Sequence, residues 1–397
     1  MLFPPRLPRQ GMLIFLFLFI GTICASSVIP VIGFFIVTGL GEPPWKIGLY
    51  TAFAAPLTLF CNRRAGEWLD AGVPVRPLLL AAILAFLMFC VLMLTGPNLT
   101  VLVFAGGLFM SVANTALATS FTYGRLFAER NGLDVTRTNS TLRMATSLAW
   151  MIGPALSYSL IGPFGFPAVF ALSGAIGLCW LAFWFFSIPR DFRAPPREGR
   201  ARGTESVNWG MIYAAFCCLA FILTNALFTS AMPLYLVTES GLPEFTPGLS
   251  FSVKCLLEVA AIYTGARLAI RTGIRAVLMA AAVLSFAAMM LFTQVASVAG
   301  VAAVAFLEGI YFGLFAGVAI TYVQSFAPDK PGRATAIYMN SLFLGGMIGN
   351  ISMGLIAESF SYRAVVFVAA LFPLAALLLL ALEPLVIRKT SRKAGIT

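Results

Sequence analysis

Long apolar stretches without charge recur along the whole chain and constrain its fold more than any other feature. Leu78 to Leu94 and Ala276 to Phe292 each run without a charged residue. A membrane-spanning helix needs roughly 20 to 25 residues, so about twelve of them fill the 397 residues. Strands of an outer-membrane barrel would alternate apolar and polar residues, which these stretches do not. The sequence therefore predicts an all-α membrane protein.

Composition argues against most enzyme chemistry. Hydrophobic residues make up 60% of the chain and charged residues 10%, and there is no histidine. A histidine-based metal site, a haem ligand and an imidazole proton relay are therefore excluded. The sequence also has no phosphate-binding Gly-Lys-Ser/Thr loop, and its seven cysteines lack metal-ligand spacing. We expect no metal, no cofactor and no catalytic residues, so the chain is not predicted to be an enzyme.

The apolar stretches fall into two sets of six, separated by a polar segment rich in Pro and Gly. They predict an N-terminal six-helix bundle over 1–189, a cytoplasmic linker over 190–207 and a C-terminal six-helix bundle over 208–397. The predicted spans are 11–38, 46–62, 77–96, 99–124, 139–161 and 166–188 in the first bundle, and 209–237, 247–269, 276–295, 299–325, 334–357 and 364–386 in the second.

The distribution of Lys and Arg predicts the orientation. If both termini are cytoplasmic, 22 of the 26 basic residues lie on the cytoplasmic side. Lys46 and Arg363 lie on the outer side, and Arg143 and Lys254 lie inside spans. Basic residues favour the cytoplasmic side of membrane proteins, so this orientation is expected in a bacterial inner membrane. The net charge of +11 then reflects topology, and no nucleic-acid partner is expected.

The loops after the second and eighth spans resemble each other. The first contains Gly66-x-x-x-Asp70-x-Gly72 followed by Arg76, and the second contains Gly265 through Gly273 followed by Arg275. A chain of six plus six helices with such a loop in each half resembles the major facilitator superfamily. The resemblance implies two pseudo-repeated bundles enclosing a midplane site that opens alternately to each side. It assigns conformational roles to Gly66, Asp70, Arg76, Gly273 and Arg275.

Span five adds two residues to this conformational set. Gly153 lets helix backbones approach closely, and Pro154 removes a helical hydrogen bond and kinks the helix. The pair partly resembles the span-five motif of antiporters in the superfamily, although Ser157-Tyr158 replaces its final glycine pair.

Four charged residues lie inside predicted spans and more than three residues from either end: Arg143, Lys254, Glu258 and Glu308. A central charge costs about 2.5 to 3.5 kcal/mol on insertion scales, so these residues are functional candidates. Lys254 and Glu258 are four residues apart and can pair on one helical face, which leaves self-neutralisation as the alternative. Proton coupling without histidine needs a carboxylate, and Glu308 is the preferred proton carrier. Hydration near the helix end is the alternative for Glu308, and snorkelling is the alternative for Arg143.

Uncharged polar residues at mid-depth suit a neutral, hydroxyl-rich ligand. A sugar needs amide groups that donate and accept hydrogen bonds, together with aromatic faces for its C–H surfaces. Asn114 and Asn225 supply amides, and Trp150 and Tyr311 supply aromatic rings. Hydrogen bonding between helices is the alternative role of each Asn.

Several strings, in order along nearly the whole chain, are similar to the sugar efflux transporter family of the superfamily. They are Trp45-Lys-Ile-Gly-Leu-Tyr50, Ala113-Asn-Thr-Ala116, Ser147-Leu-Ala-Trp-Met-Ile-Gly-Pro154, Met232-Pro-Leu-Tyr235 with Gly241-Leu-Pro243, Leu257-Glu258, and Gln324 to Pro328. The resemblance implies proton-driven efflux of lactose, glucose and related glycosides, with Asn114, Arg143, Asn225 and Glu258 at matching positions. Ala231 stands where the family often has an acid, and Glu308 is a candidate replacement.

The sequence thus predicts a monomeric secondary transporter that exports sugars or sugar-like polyols in exchange for protons. The substrate candidates are Asn114, Arg143, Trp150, Asn225, Lys254, Glu258 and Tyr311. The proton-coupling candidates are Glu258 and Glu308. An exporter of drugs or of a hydrophilic metabolite such as a siderophore is the alternative within transport. A non-transporting membrane sensor, or an enzyme acting on lipid, is the alternative outside it.

Overall fold

The computed structural model describes residues 9–133, 135–193, 208–326 and 331–393. Within these ranges every regular element is helical, and contiguous pieces merge into eleven helices. One of them, Val135–Ser187, is 53 residues long and is interrupted at Gly165, where φ is +72°. Residues with side chains rarely adopt that conformation, so Gly165 divides this helix into two. The described part of the chain therefore contains twelve helical segments, and the predicted all-α fold is confirmed.

The first six segments precede the predicted linker, of which residues 194–207 lie outside the described ranges. Helix α4 (Leu99–Arg130) contains a π-helical turn at Leu102–Gly106 and a break at Asn114. The segments are α1 (Arg9–Phe34, continued by a π-helical turn Phe35–Gly39), α2 (Trp45–Asp70), α3 (Val75–Leu94), α4 (Leu99–Arg130), α5 (135–164) and α6 (166–187).

The second six segments follow the same order, and α7 ends in a π-helical turn as α1 does. They are α7 (Trp209–Leu234, continued by Tyr235–Glu239), α8 (Thr246–Thr272), α9 (Ile274–Phe292), α10 (Val298–Ser325), α11 (Pro331–Ser359) and α12 (Tyr362–Lys393). Nine of the eleven merged helices are long and apolar enough to cross a membrane, counted over the described residues. Helices α2 and α8, which carry more charge, are the other two.

Helix α2 extends two turns beyond its predicted end at residue 62. Ion pairs link Arg63 and Arg64 to Glu67 at 2.9 and 3.1 Å, with spacings of four and three residues. Pairs at these spacings stabilise an exposed helix by a few tenths of a kcal/mol each, about 0.2 to 0.5. The extension is therefore a polar end that the apolar pattern did not reveal.

The chain divides into two compact units, Met1–Arg202 and Gly203–Thr397. In the first unit α1 packs most extensively against the helix Val135–Ser187, which comprises α5 and α6, and in the second α8 packs most extensively against α10. On the α1–α5 contact, Ser26 and Ser157 donate hydrogen bonds to backbone carbonyls of the opposite helix at 3.0 and 2.6 Å. These side chains replace part of the apolar contact with directed bonds between the two backbones.

Glycines in α10 bring its backbone against the backbone of α8. A Cβ added to Gly313 would lie 2.5 Å from the Ala261 Cβ and 2.6 Å from the Glu258 carbonyl oxygen. A Cβ on Gly309 would lie 2.7 Å from the Leu257 Cβ, and one on Gly317 would lie 2.6 Å from the Ile262 carbonyl oxygen. The spacing of four residues puts all three glycines on one face. Small residues of this kind allow close helix packing in membranes.

We expect Gly313→Ala to lower the free energy of unfolding by about 1 to 3 kcal/mol, because the new methyl group overpacks a backbone contact. Thermal unfolding of the purified protein in detergent measures the change. Gly346→Ala is the matched control, since a Cβ at Gly346 has open space around it. The control should be neutral or slightly stabilising, because Ala favours helix over Gly. Equal effects of the two substitutions would contradict the packing argument.

Candidate functional site

A buried polar cluster in the second unit contains three of the predicted site residues. The Lys254 Nζ on α8 lies 2.6 Å from the Glu308 Oε1 on α10. The same Nζ donates a hydrogen bond of 2.7 Å to the Asn225 Oδ1 on α7. Lys254 is 5% exposed and Glu308 is 1% exposed. One ammonium group therefore joins three helices inside the unit.

The ion pair differs from the one that the sequence suggested. The spacing of four residues predicts that Lys254 can pair with Glu258 on the same helix, and hydration near the helix end is the alternative for Glu308. In the structure Lys254 pairs with Glu308, and Glu308 is enclosed. Helices α8 and α10 approach closely at Gly309, and this brings Glu308 beside Lys254. A sequence pattern within one helix cannot reveal a contact between two helices.

The Lys254 ammonium also faces an aromatic ring. Its Nζ lies 4.8 Å from the centroid of Phe312, within the range of a cation–π interaction. An ammonium has three N–H donors, and Asn225, Glu308 and the Phe312 ring surround it. Sequence analysis did not single out Phe312.

The Glu308 carboxylate is held mainly by charge. Neither of its oxygens has a hydrogen bond of good geometry among the described residues, although Lys254 is close. Removing one partner of a buried ion pair is strongly destabilising, whereas apolar replacement of both is often neutral. The Glu308 oxygens are therefore without a directed hydrogen bond and can take a proton.

Glu258 lies one helical turn from Lys254 and is only half-buried. It follows Lys254 on the same face of α8. Tyr311 lies one turn along α10 from Glu308, is 0% exposed, and has a buried hydroxyl without a partner in the described chain. The ring predicted to contact a ligand is thus enclosed in this conformation.

The first unit contains a cavity lined by two further predicted residues. Asn114 on α4 and Trp150 on α5 face it together with Thr22 on α1 and Ser120 on α4. Asn114 stands at the break in α4, between the segments that end at Ala113 and begin at Thr115. One amide, two hydroxyls and an indole in its lining give the cavity hydrogen-bonding groups and an aromatic face.

Trp180 also lines this cavity and was missed by sequence analysis. It is 3% exposed, packs on Phe17 with ring centroids 5.5 Å apart, and has no hydrogen-bond partner for its Nε1 among the described residues. Arg143 stands apart from this group, since it is exposed on α5. The predicted substrate residues therefore form one group in each unit, with Arg143 outside both.

The two predicted loop arginines make equivalent contacts in the two units. The Arg76 guanidinium donates to the carbonyls of Ile188 and Phe185 at 3.0 and 3.2 Å, which ties the start of α3 to the end of α6. The Arg275 guanidinium donates to the carbonyls of Leu380 and Ala381 at 2.7 and 3.2 Å, which ties the start of α9 to α12. Arg76 also lies 4.6 Å from the ring of Trp184.

The remaining conformational candidates differ in their surroundings. Gly273 has φ of +88° and separates α8 from α9, so a glycine is needed there. Gly66 lies within α2 with open space around it, whereas Gly72 supplies the left-handed turn. A Cβ on Gly153 would lie 2.9 Å from the Ser26 carbonyl carbon, and Pro154 follows it in α5. The side chain of Asp70 lies outside the described part of the structure.

One sequence signal points directly at the buried cluster and was overlooked. Glu308 is followed immediately by Gly309-x-x-x-Gly313-x-x-x-Gly317. Repeated small residues at intervals of four mark a helix–helix contact in membranes. Read together with the adjacent acid, the pattern predicts that Glu308 faces another helix.

Comparisons with known proteins agree with this architecture. The model of the Major Facilitator Superfamily matches residues 11–253 and again residues 214–395. Sugar efflux transporter A of Dickeya chrysanthemi is 29% identical over 372 residues, which cover 90% of this chain and 92% of the relative. Sugar efflux transporter B of Salmonella typhimurium is 27% identical over 368 residues, covering 91% and 93%. The predicted resemblance to the sugar efflux transporters is confirmed.

Among solved structures, the nucleoside transporter NupG superposes with a TM-score of 0.73 at 14% sequence identity, covering 95% of this chain and 99% of that chain. At this identity the likeness concerns the fold alone. The matches of the family model together span nearly the whole chain. The chain belongs to the Major Facilitator Superfamily.

Proposed function

We propose that this protein is a proton-coupled exporter of sugars or sugar-like polyols that works by alternating access as a monomer. It lies in the bacterial inner membrane with both termini in the cytoplasm. The observation that carries the proposal is the buried Lys254–Glu308 pair, joined to Asn225. The names of the sugar efflux relatives support a sugar as cargo.

Burial of the pair supports proton coupling. A carboxylate that is 1% exposed and lacks directed hydrogen bonds is stabilised mainly by one ammonium. A proton on Glu308 would neutralise it and free Lys254, whose next acidic neighbour on α8 is Glu258, one turn away. A single proton would thus rearrange contacts among α7, α8 and α10.

Asn225 connects this event to the cargo. Its Oδ1 accepts from Lys254, so its side chain meets the charged cluster directly. Asn114 and Trp150 in the first unit offer an amide and an aromatic face to one cavity. Cargo would contact Asn225 and Glu258 in the second unit, and protonation from outside would favour its release and the return of the empty carrier.

The first test uses lactose accumulation in inverted vesicles with an imposed proton gradient. Glu308→Gln should abolish gradient-driven accumulation and remove the pH dependence of transport, because an amide does not exchange a proton in this range. Lactose counterflow, which needs no net proton movement, should remain.

Glu258→Gln is the comparison variant. Glu258 is also a carboxylate near Lys254, one turn away on α8, but it is half-buried. We expect it to weaken accumulation less than Glu308→Gln does. Wild-type accumulation and pH dependence in the Glu308→Gln protein would contradict the assignment. If the folded wild-type protein does not accumulate lactose, the result would contradict a sugar cargo and favour a drug or a siderophore.

A second test separates coupling from structural support. Lys254→Met leaves Glu308 as an unpaired buried charge and should lower the free energy of unfolding by about 3 to 5 kcal/mol. The double variant Lys254→Met/Glu308→Met should recover most of this loss but stay unable to accumulate lactose against a gradient. Thermal unfolding and the vesicle assay measure the two effects. If the double variant regains lactose accumulation, the Lys254–Glu308 pair has only a structural role.

Arg143 discriminates between cargo classes. Because it is exposed and stands apart from the two groups, Arg143→Gln should leave lactose transport within about threefold of wild type, a change of less than about 1 kcal/mol. A much larger loss, measured as initial lactose uptake in the same vesicles, would favour an acidic cargo that needs a cation.

A further inference from the structure

Two buried hydroxyl groups lie next to Glu308, on the side of α9. The Tyr311 hydroxyl on α10 faces the Ser285 hydroxyl on α9. Both residues are 0% exposed, and neither oxygen has a hydrogen bond of good geometry within the described ranges. Buried polar groups without a hydrogen bond are destabilising, so two of them beside the Glu308 carboxylate call for an explanation.

These groups form a continuous line. Tyr311 follows Glu308 by three residues, so the two side chains are neighbours on α10. Ser285 extends the line to α9, and Lys254 and Asn225 continue it to α8 and α7. The titratable or charged groups around Glu308 are Lys254, Glu258 and Cys255 on α8 and Tyr311 on its own helix. The line therefore runs across the second unit from α9 to the ion pair.

A cavity approaches the α9 side of this line. It has a volume of about 370 Å³ and lies at the connection between α9 and α10, with Gln294, Ser297, Ala303, Val304 and Leu307 on its wall. Tyr311 follows Leu307 by four residues and lies on the same face of α10. On α10 the wall of the cavity therefore ends at Leu307, about one turn before Tyr311. By the predicted orientation, this end of the helices faces outside.

We propose that Tyr311 and Ser285 form a proton inlet to Glu308 that is separate from the cargo path and is supplied with water from the cavity at the α9–α10 connection. This inlet rests on the proposed proton-coupled function. A hydronium ion that enters through the cavity gives a proton to the Ser285 hydroxyl and is left as water, and Ser285 passes its own proton to the Tyr311 oxygen. Tyr311 passes its hydroxyl proton to a Glu308 oxygen. Each hydroxyl gains one proton and loses one, so both end neutral and only Glu308 changes charge.

A separate inlet has a consequence for coupling. The proton reaches Glu308 from the side of α9, whereas the cargo contacts Asn225 on α7. The proton and the cargo therefore need not pass through the same space. Tyr311 was predicted from sequence to contact the sugar, and its complete burial between Glu308 and α9 fits the inlet better.

The test compares proton-driven and proton-independent transport in proteoliposomes. Tyr311→Phe keeps the ring but removes the hydroxyl, and we expect the initial rate of gradient-driven lactose accumulation to fall at least about tenfold, as is usual on loss of a positioned proton donor. Lactose counterflow should remain within about twofold of wild type, because the cargo contacts are kept. Ser285→Ala should act in the same direction.

Two further variants make the test specific. Ser250→Ala removes another buried hydroxyl without a partner, this one on α8, and should leave both rates unchanged. Ala303→Trp fills the cavity from an exposed position and should slow only the gradient-driven rate. Unchanged gradient-driven transport in Tyr311→Phe would overturn the inlet, as would an equal loss of counterflow. If the proton gradient does not change lactose accumulation by the wild-type protein, the result would instead overturn the proposed function.

Discussion

Backbone contact between α8 and α10 is the constraint on which the buried cluster depends. Gly309, Gly313 and Gly317 present almost no side-chain volume to α8, so the two helices approach until a Cβ would collide with the carbonyl oxygens of Glu258 and Ile262. At that separation Lys254 and Glu308 meet directly, at 2.6 Å. With larger residues the helices would stand further apart, and each charge would need another partner or water.

The same logic is used in both units with different chemistry. In the first unit Gly153 lets α5 approach Ser26, and hydroxyl groups satisfy backbone carbonyls across the contact. In the second unit the tight contact between α8 and α10 encloses charge. Arg76 and Arg275, by contrast, make equivalent carbonyl contacts in each unit. The scaffold of the two units is thus alike, while the buried ion pair belongs to the second unit alone among the described residues.

Much of the fold could be predicted from the sequence because membrane spans are long apolar runs bounded by charge. The twelve segments, the break near residue 165 and the paired loops all follow from that pattern. The end of α2 could not be predicted this way, since ion pairs at Glu67 rather than apolar residues support it.

The site residues divide in the same manner. Scarcity of charge in the spans was enough to identify Lys254, Glu258 and Glu308. The pairing of Lys254 with Glu308 could not be predicted, because it depends on how α8 and α10 are rotated and how closely they pack. Phe312, Trp180 and Ser285 were missed for a related reason: an aromatic or hydroxyl side chain in an apolar span looks ordinary until its neighbours are known.

The central claim is that Glu308 exchanges a proton when the cargo binds. Proton release on lactose addition to the purified protein, followed with a pH-sensitive dye in weakly buffered detergent solution, tests it most directly. The account predicts release of protons by the wild-type protein and none by Glu308→Gln at matched lactose occupancy. Equal proton release by the two proteins would contradict it.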